Sequence, residues 1–210
     1  MYVPEEFRAV DDAVVRDVVR AYPFATLVTS RGAEPVATHL PLLFTEASPP
    51  ILRGHLARKN PQAADVDARG QVLAIFHGPH GYVSPGSYSH HPSVPTWNYV
   101  AVHAYGIVRP MSDSELTRLL EESVAHFEAG ATPAQCEASP PWKLEVPEKY
   151  LSGMKSQILG FAIEVTRFEA KLKLSQNKSE EDQRRVIARF DRGSPDDQSV
   201  AAFMRRVLDI

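Results

Sequence analysis

The chain has 210 residues, a formal net charge of -3 and a sequence pI near 6.2. That length suits one domain, or one domain with an appended tail. The acidic balance gives no global basic footprint of the kind nucleic-acid binders use against phosphates. No apolar run reaches the length of a membrane span. The start, Met1 to Phe7, lacks the basic and apolar regions of a signal peptide. A single cysteine, Cys136, leaves no disulfide framework within the chain. The cytoplasm is the expected location.

In chain order, Asp11 to Tyr22 has a helical stripe of Val14, Val18 and Tyr22, with Asp11 or Asp12 as the cap. Pro23 ends it. Phe24 to Ser30 and Pro35 to Thr45 read as two strands of a hairpin joined by Arg31-Gly32-Ala33-Glu34. Ile51 to Ala57 is a third strand. Asn60-Pro61 opens a short helix to about Ala68. Val72 to His77 is a strand of buried type, followed by a loop rich in Gly, Pro, Ser and His between Gly78 and Pro95.

Thr96 to Arg109 reads as a long strand. Asn98, Val100, Val102, Ala104, Gly106 and Val108 make its core face, and Trp97, Tyr99, Ala101, His103, Tyr105 and Ile107 the other. Ser112 and Glu115 form a capping-box pattern for a helix to about Ala129. A loop spans Cys136 to Pro141, a helix runs from Pro147 to near Gly160, and Phe161 to Thr166 alternates as a strand that Lys171 to Asn177 extends or follows. Helices from Glu180 to Phe190 and from Asp197 to Leu208 close the chain. Strands dominate the first half without regular βαβ alternation. This predicts an α+β fold on an antiparallel sheet or barrel and excludes a dinucleotide-binding parallel sheet.

Four features carry chemistry. Five histidines, His77, His80, His90, His91 and His103, lie in one stretch, but their spacing on strand ends and loops does not predict a metal site. The Trp/Tyr/His face of the long strand reads equally as a surface for a flat ligand and as a sheet face covered by a helix. At Arg58-Lys59-Asn60 a strand ending in two cations meets a helix start. That suits a phosphate, although a solvated basic turn is the plainer reading. Lys171 to Lys178 alternates cation and leucine before Ser175-Gln176-Asn177, as a polar ligand edge or an amphipathic edge strand would. No nucleophile is assignable: Cys136 sits beside Glu137, which raises a thiol pKa, and no Gly-x-Ser-x-Gly elbow is present.

Several blocks in order resemble the PaiB-like family of FMN-binding negative transcriptional regulators. They include Met1 to Pro4, His39 to Leu43, Gly54 to Arg58, Asn60-Pro61-Gln62, Gly78-Pro79-His80 and Tyr82 to Pro85. Val94 to Tyr99, Pro140-Pro141-Trp142 and Lys173 to Asn177 complete the set. The resemblance runs over most of the chain. It implies an α+β antiparallel split β-barrel with surrounding helices: an FMN-binding domain over residues 1–178 and a helical extension over 179–210 packed on it. It further implies a homodimer with FMN between subunits. Arg58 becomes the leading phosphate anchor, with Lys59 and Asn60 beside it. Thr38, His39, Leu40, Pro41, His55 and Ala57 become wall and backbone contacts. Trp97, Asn98, Lys173, Ser175 and Gln176 become contacts that the partner copy can supply. Two departures stand out: Gly86-Ser87 where an aromatic usually precedes Tyr88, and Lys59 where a small residue is more usual.

The resemblance implies a flavin-binding regulator acting through DNA or a protein partner. The only basic candidate for DNA is the segment with Arg184, Arg185, Arg189 and Arg192, preceded by Glu180, Glu181 and Asp182, which reads more simply as a solvated helix. The alternative is an FMN-dependent oxidoreductase on a small substrate, with no assignable catalytic residue. Binding of another planar cofactor such as haem ranks last.

Overall fold

The computed structural model describes residues 1–9, 11–130 and 141–210. Cys136 lies outside them, and of the loop expected from Cys136 only Pro141 is described. The strands are β1 (Phe24–Arg31), β2 (Glu34–Pro41), β3 (Leu43–Thr45), β4 (Ile51–Ala57), β5 (Gln71–Val83), β6 (Thr96–Pro110) and β7 (Ile158–Lys173). They form one sheet in the order β2-β1-β5-β6-β7-β4-β3, which does not close on itself. The helices are α1 (Asp12–Ala21), α2 (Ala63–Asp67), α3 (Asp113–Gly130), α4 (Glu148–Lys155), α5 (Glu180–Phe190) and α6 (Pro195–Leu208). By contacts the chain forms two compact units. One comprises Met1–Tyr22, Ile75–Ala104 and Phe168–Ile210; the other comprises Pro23–Ala74 and Tyr105–Arg167. The closing helices α5 and α6 fall in the first.

In that first unit, the Asp11 carboxylate accepts from Ala13 N at 2.7 Å and caps α1. α1 buries Val15, Val18 and Val19. In β6 the Asn98, Val100, Val102 and Ala104 side chains are buried as the alternation predicts. β5 corrects an expectation: it does not stop at His77 but continues through Gly-Pro-His-Gly to Val83. Its glycines are there for close packing, not for a turn. A Cβ on Gly78 would lie 2.9 Å from Val100 Cβ, and one on Gly81 2.7 Å from Phe190 Cε1. α6 begins at Pro195, with a reciprocal Ser194–Asp197 capping box, two residues earlier than expected.

In the second unit, β1 and β2 pair antiparallel from Phe24 opposite Pro41 to Arg31 opposite Glu34, and Gly32 takes a left-handed φ of 62° in the turn. The strand expected from Pro35 to Thr45 is broken at Leu42. There the chain changes partner: Leu42 N donates to Pro23 O at 2.8 Å, and the next residue, Leu43, pairs with Arg53 of β4. Gly54 makes the exchange possible. A Cβ on it would sit 2.7 Å from Leu42 Cδ2 and 3.1 Å from Pro41 O. Two helices are shorter than expected. α2 starts at Ala63, not at Asn60, and α4 ends at Lys155, so that β7 begins at Ile158. Leu43, Leu116 and Leu119, with Met111, Leu120 and Ile158, form the core between α3 and the β3–β4 edge.

Two predictions follow from this packing. A Cβ on Gly106 would lie 2.4 Å from Glu164 O and 2.6 Å from Ile163 Cγ2. Gly106→Ala is therefore expected to cost about 3 kcal/mol, the upper end for overpacking, read as a lower urea midpoint at unchanged slope. At the start of α3, Glu115 accepts from Arg109 Nη2 and from Ser112 N, both at 2.8 Å. The Arg109 hydrogen bond, followed by Ser112, holds its carboxyl down to about 2. A depressed carboxylate stabilises the fold above its ordinary titration range and loses that contribution as pH falls toward 2. The stability gap between wild type and Glu115→Gln should thus be present at pH 6 and close at pH 2 in chemical unfolding. The side chain is 38% exposed, so the gap itself is small.

Candidate functional site

The turn after β4 is the most constrained polar feature of its unit. Asn60 does not cap a helix. Its Oδ1 accepts from Gln62 N at 2.9 Å, and its Nδ2 donates to Thr38 Oγ1 at 2.9 Å. Gln62 is fully buried, and its Nε2 donates to Thr29 Oγ1 and Val36 O at 3.0 Å and to Leu27 O at 3.3 Å. Thr29 Oγ1 in turn donates to Asp65 at 2.6 Å, and Arg31 bonds to Pro61 O. One side chain from the turn thus ties down both strands of the β1–β2 hairpin. The sequence reading used Gln62 only as part of a matching block. Its signal was an amide inside a segment otherwise rich in charge and proline, and only burial distinguishes it from a surface glutamine.

This docking holds the expected flavin residues of the unit together. Thr38, His39, Leu40 and Pro41 end β2, and His55, Ala57, Arg58, Lys59 and Asn60 end β4 and its turn. Thr38 is half-buried, Leu40 is buried, and His39 is exposed and stacks on Phe24 at 6.5 Å. Arg58 N is used, donating to Gln157 O at 2.9 Å. The Arg58 and Lys59 side chains are exposed and have no hydrogen bond or ion pair among the described residues. α2 has only five residues and begins at Ala63, so the helix dipole expected behind these cations contributes little. The donor set is therefore two uncommitted cations beside a hydroxyl and an imidazole. Its chemistry fits a phosphate monoester, for which charge-assisted hydrogen bonds are the strong contacts. His55 is half-buried, and burial pushes its imidazole below the usual histidine value, so it is neutral at pH 7.

The second group of expected residues comes together in the other unit. Asn98 is fully buried; its Nδ2 donates to Ser175 Oγ at 3.0 Å, and Ser175 Oγ donates back to Asn98 Oδ1 at 3.2 Å. Ser175 has a φ of 68°, and Gln183 Nε2 donates to its carbonyl at 3.2 Å. Lys173 Nζ donates to Thr96 Oγ1, and the Gln176 amide folds back onto Leu172 O and Leu174 N. These polar atoms hold the end of β7 in shape. What the group presents outward is Trp97, 52% exposed, with His80 at 6.1 Å and the edge of Tyr82 at 5.8 Å. Asp182 ties down the neighbouring histidine loop, accepting from Ser89 N at 2.6 Å and Ser89 Oγ at 2.8 Å. That backbone bond holds its carboxyl below the usual range. Burial, and then the N-terminal ammonium, lower the His103 imidazole. Among the described residues no three His, Cys, Asp or Glu side chains are grouped to hold a metal ion.

Residues 1–167 match the family model described as "Putative FMN-binding domain". The chain belongs to this FMN-binding family, and FMN is its cofactor. It is 35% identical over 99% of its length, and 98% of the other chain, to "Protease synthase and sporulation protein PAI 2" of Bacillus subtilis strain 168. In structure it is similar to the FAD and heme binding protein of Mycobacterium smegmatis, with a TM-score of 0.60, 17% identity, and coverage of 83% of this chain and 78% of that one. A flavocytochrome from Azotobacter vinelandii gives a TM-score of 0.57 at 15% identity, covering 86% and 77%. These likenesses establish the fold as an antiparallel split β-barrel with surrounding helices. When bound, FMN supplies one- and two-electron redox chemistry.

The Gln62 arrangement gives a direct test. Gln62→Leu leaves buried acceptors without a donor, at an expected cost of about 1–3 kcal/mol in urea unfolding. Arg58→Ala, which removes an exposed side chain, should leave the midpoint within about 0.5 kcal/mol of wild type.

Proposed function

We propose that this protein is an FMN-binding negative regulator of gene expression that works as a homodimer. The observation that carries the reading is the 35% identity to PAI 2, which spans nearly the whole of both chains. That relative is named for protease synthase and sporulation; a regulatory role is our reading for this chain.

In this reading Arg58, with Lys59, anchors the FMN phosphate. Thr38, His39, Leu40, Pro41, His55, Ala57 and Asn60 form the wall along β2 and β4. Trp97 is the leading contact from the partner copy, and Asn98, Lys173, Ser175 and Gln176 fix its seat. Regulation passes through a protein partner more readily than through duplex DNA. Arg184 pairs with Glu180 at 2.5 Å and Arg185 with Glu181 at 3.7 Å, while Arg205 and Arg206 bond to Asp191 and Asp17 at 2.6 Å. Four cations of the closing helices are therefore already answered by carboxylates. Among the described residues no helix is long and apolar enough to cross a membrane, and we place the protein in the cytoplasm.

An FMN-dependent oxidoreductase is the second reading. The observation favouring it is an apolar cavity bordered by Pro41 and His55, where a small substrate would lie next to the proposed flavin wall.

Arg58→Ala is expected to weaken FMN binding at least tenfold, whereas Arg189→Ala, an exposed arginine on α5, changes it less than twofold; fluorescence quenching of free FMN measures both. Equal losses would remove Arg58 as the anchor. In its host, a strain carrying Arg58→Ala should derepress the same transcripts as a strain lacking the protein. Steady turnover of a reduced nicotinamide by the FMN-loaded protein, with an unchanged transcript profile, would establish the oxidoreductase instead.

A further inference from the structure

The unit formed by Pro23–Ala74 and Tyr105–Arg167 contains a cavity of about 640 Å3. Its floor is Leu43 and Ile158, and its walls include Val124 and Phe127 of α3, Trp142 ahead of α4, and Tyr150 on α4. Phe127, Trp142 and Tyr150 are 38%, 48% and 60% exposed, so an aromatic rim stands open to solvent above an aliphatic floor. A volume between about 300 and 1,000 Å3 with mostly apolar lining is that of a small-molecule site.

The charged groups in the lining are already engaged. Lys155 Nζ donates to Asp113 Oδ2 at 2.6 Å and to Thr117 Oγ1 at 2.7 Å. Glu128 accepts from Trp142 N at 3.0 Å. The His55 imidazole differs: it is neutral, half-buried and without a hydrogen bond among the described residues. An anionic ligand would lose its hydration here and find no cation free to pair with it, because Lys155 is held by Asp113. A peptide segment would bring a row of backbone N–H and C=O groups, for which such a lining holds few partners. A flat uncharged molecule with a single polar group meets neither cost.

We propose that this cavity binds an uncharged bicyclic aromatic molecule with one hydrogen-bonding substituent, which pairs with His55. The ring lies between Phe127, Trp142 and Tyr150. The proposal rests on the second reading above and names the class of molecule its cavity takes; the lining shares only Pro41 and His55 with the proposed flavin wall, so that the ligand rests beside the flavin and not in its place.

The test titrates 2-naphthol and 2-naphthoate into the full-length protein, with and without FMN, by isothermal calorimetry at pH 7. The two probes share a ring and differ in charge. The expected result is one 2-naphthol per chain, bound at least tenfold more tightly than 2-naphthoate and within about twofold in the two flavin states. Val124→Trp fills the cavity and should lower 2-naphthol affinity at least tenfold while the flavin absorbance of the loaded protein stays unchanged. Should that variant not fold, Tyr150→Ala, at an exposed rim position, is expected to weaken 2-naphthol at least threefold. Equal binding of the two probes, or unchanged affinity in a folded cavity variant, overturns the proposal. So does release of FMN by 2-naphthol, which would make the cavity the flavin's own seat, or dissociation of dimers by 2-naphthol, which would put a second copy there. Protein that takes up no FMN yet binds 2-naphthol in this pattern supports the cavity and sinks the flavin assignment alone.

Discussion

A single buried amide governs how the proposed FMN-binding edge is built. Gln62 lies in a turn, not in a regular element, yet its side chain is fully enclosed and bonds to residues of both β1 and β2. Its Nε2 meets three acceptors there while its Oε1 has no hydrogen-bond partner among the described residues; moving the turn off the hairpin would leave the buried Nε2 unpaired as well, at a cost of several kcal/mol. Asn60 closes the same seat from the other side through Thr38. With the turn fixed, Arg58 and Lys59 leave β4 at a defined point beside the end of β2. Their backbone is thereby placed in folding, and in the proposed reading only the two exposed side chains remain to be ordered when a phosphate binds.

The second constraint is the change of partner at Leu42. β2 follows β1 to Pro41, and β3 follows β4 from Leu43, so a segment that could have been one strand serves two. Gly54 accepts the Leu42 side chain where any other residue would collide with it. The exchange sets Pro41 beside Gly54 and His55. The proposed flavin wall and the cavity border both depend on this local packing.

Much of this was legible in the sequence where a single periodicity or cap dominates. β4 and α5 match their expected bounds, the Asn98 to Val108 face of β6 is buried, and Asp11 caps α1 as its position suggests. The misreadings have a common cause. Gly78 to Val83 contains Gly, Pro and His and resembles a loop, but its glycines are set by Val100 and Phe190, which are distant in sequence. Leu42 interrupts an unbroken apolar pattern because of Gly54, again a tertiary neighbour. Asn60-Pro61 has the local form of a helix start, and the Asn60 side chain instead spends its bonds on Gln62 and Thr38. Local chemistry offered two structures in each case, and packing chose. The same holds for the site. Charge and position at Arg58-Lys59 read more plainly as a solvated turn, and only the family resemblance singled out Arg58 as the phosphate anchor; Gln62, which fixes the turn, was visible only once burial was known.

The two groups of site residues also differ in what they have left to give. At the β2–β4 edge the backbone is pinned and the cations are free. At the end of β7 the reverse holds: Lys173, Ser175 and Gln176 are engaged with their own chain, and Trp97 carries the exposed surface. A phosphate needs the first kind of surface and a planar ring system needs the second. FMN has both parts, one at each end. A dimer in which one copy offers the cations and its partner the aromatic face would satisfy the whole molecule without either copy having to build a complete pocket. It would also make flavin occupancy and assembly thermodynamically linked. In the proposed reading that linkage would be a physical route to regulation: the state of the cofactor would set the state of assembly, and a partner protein would read the assembly.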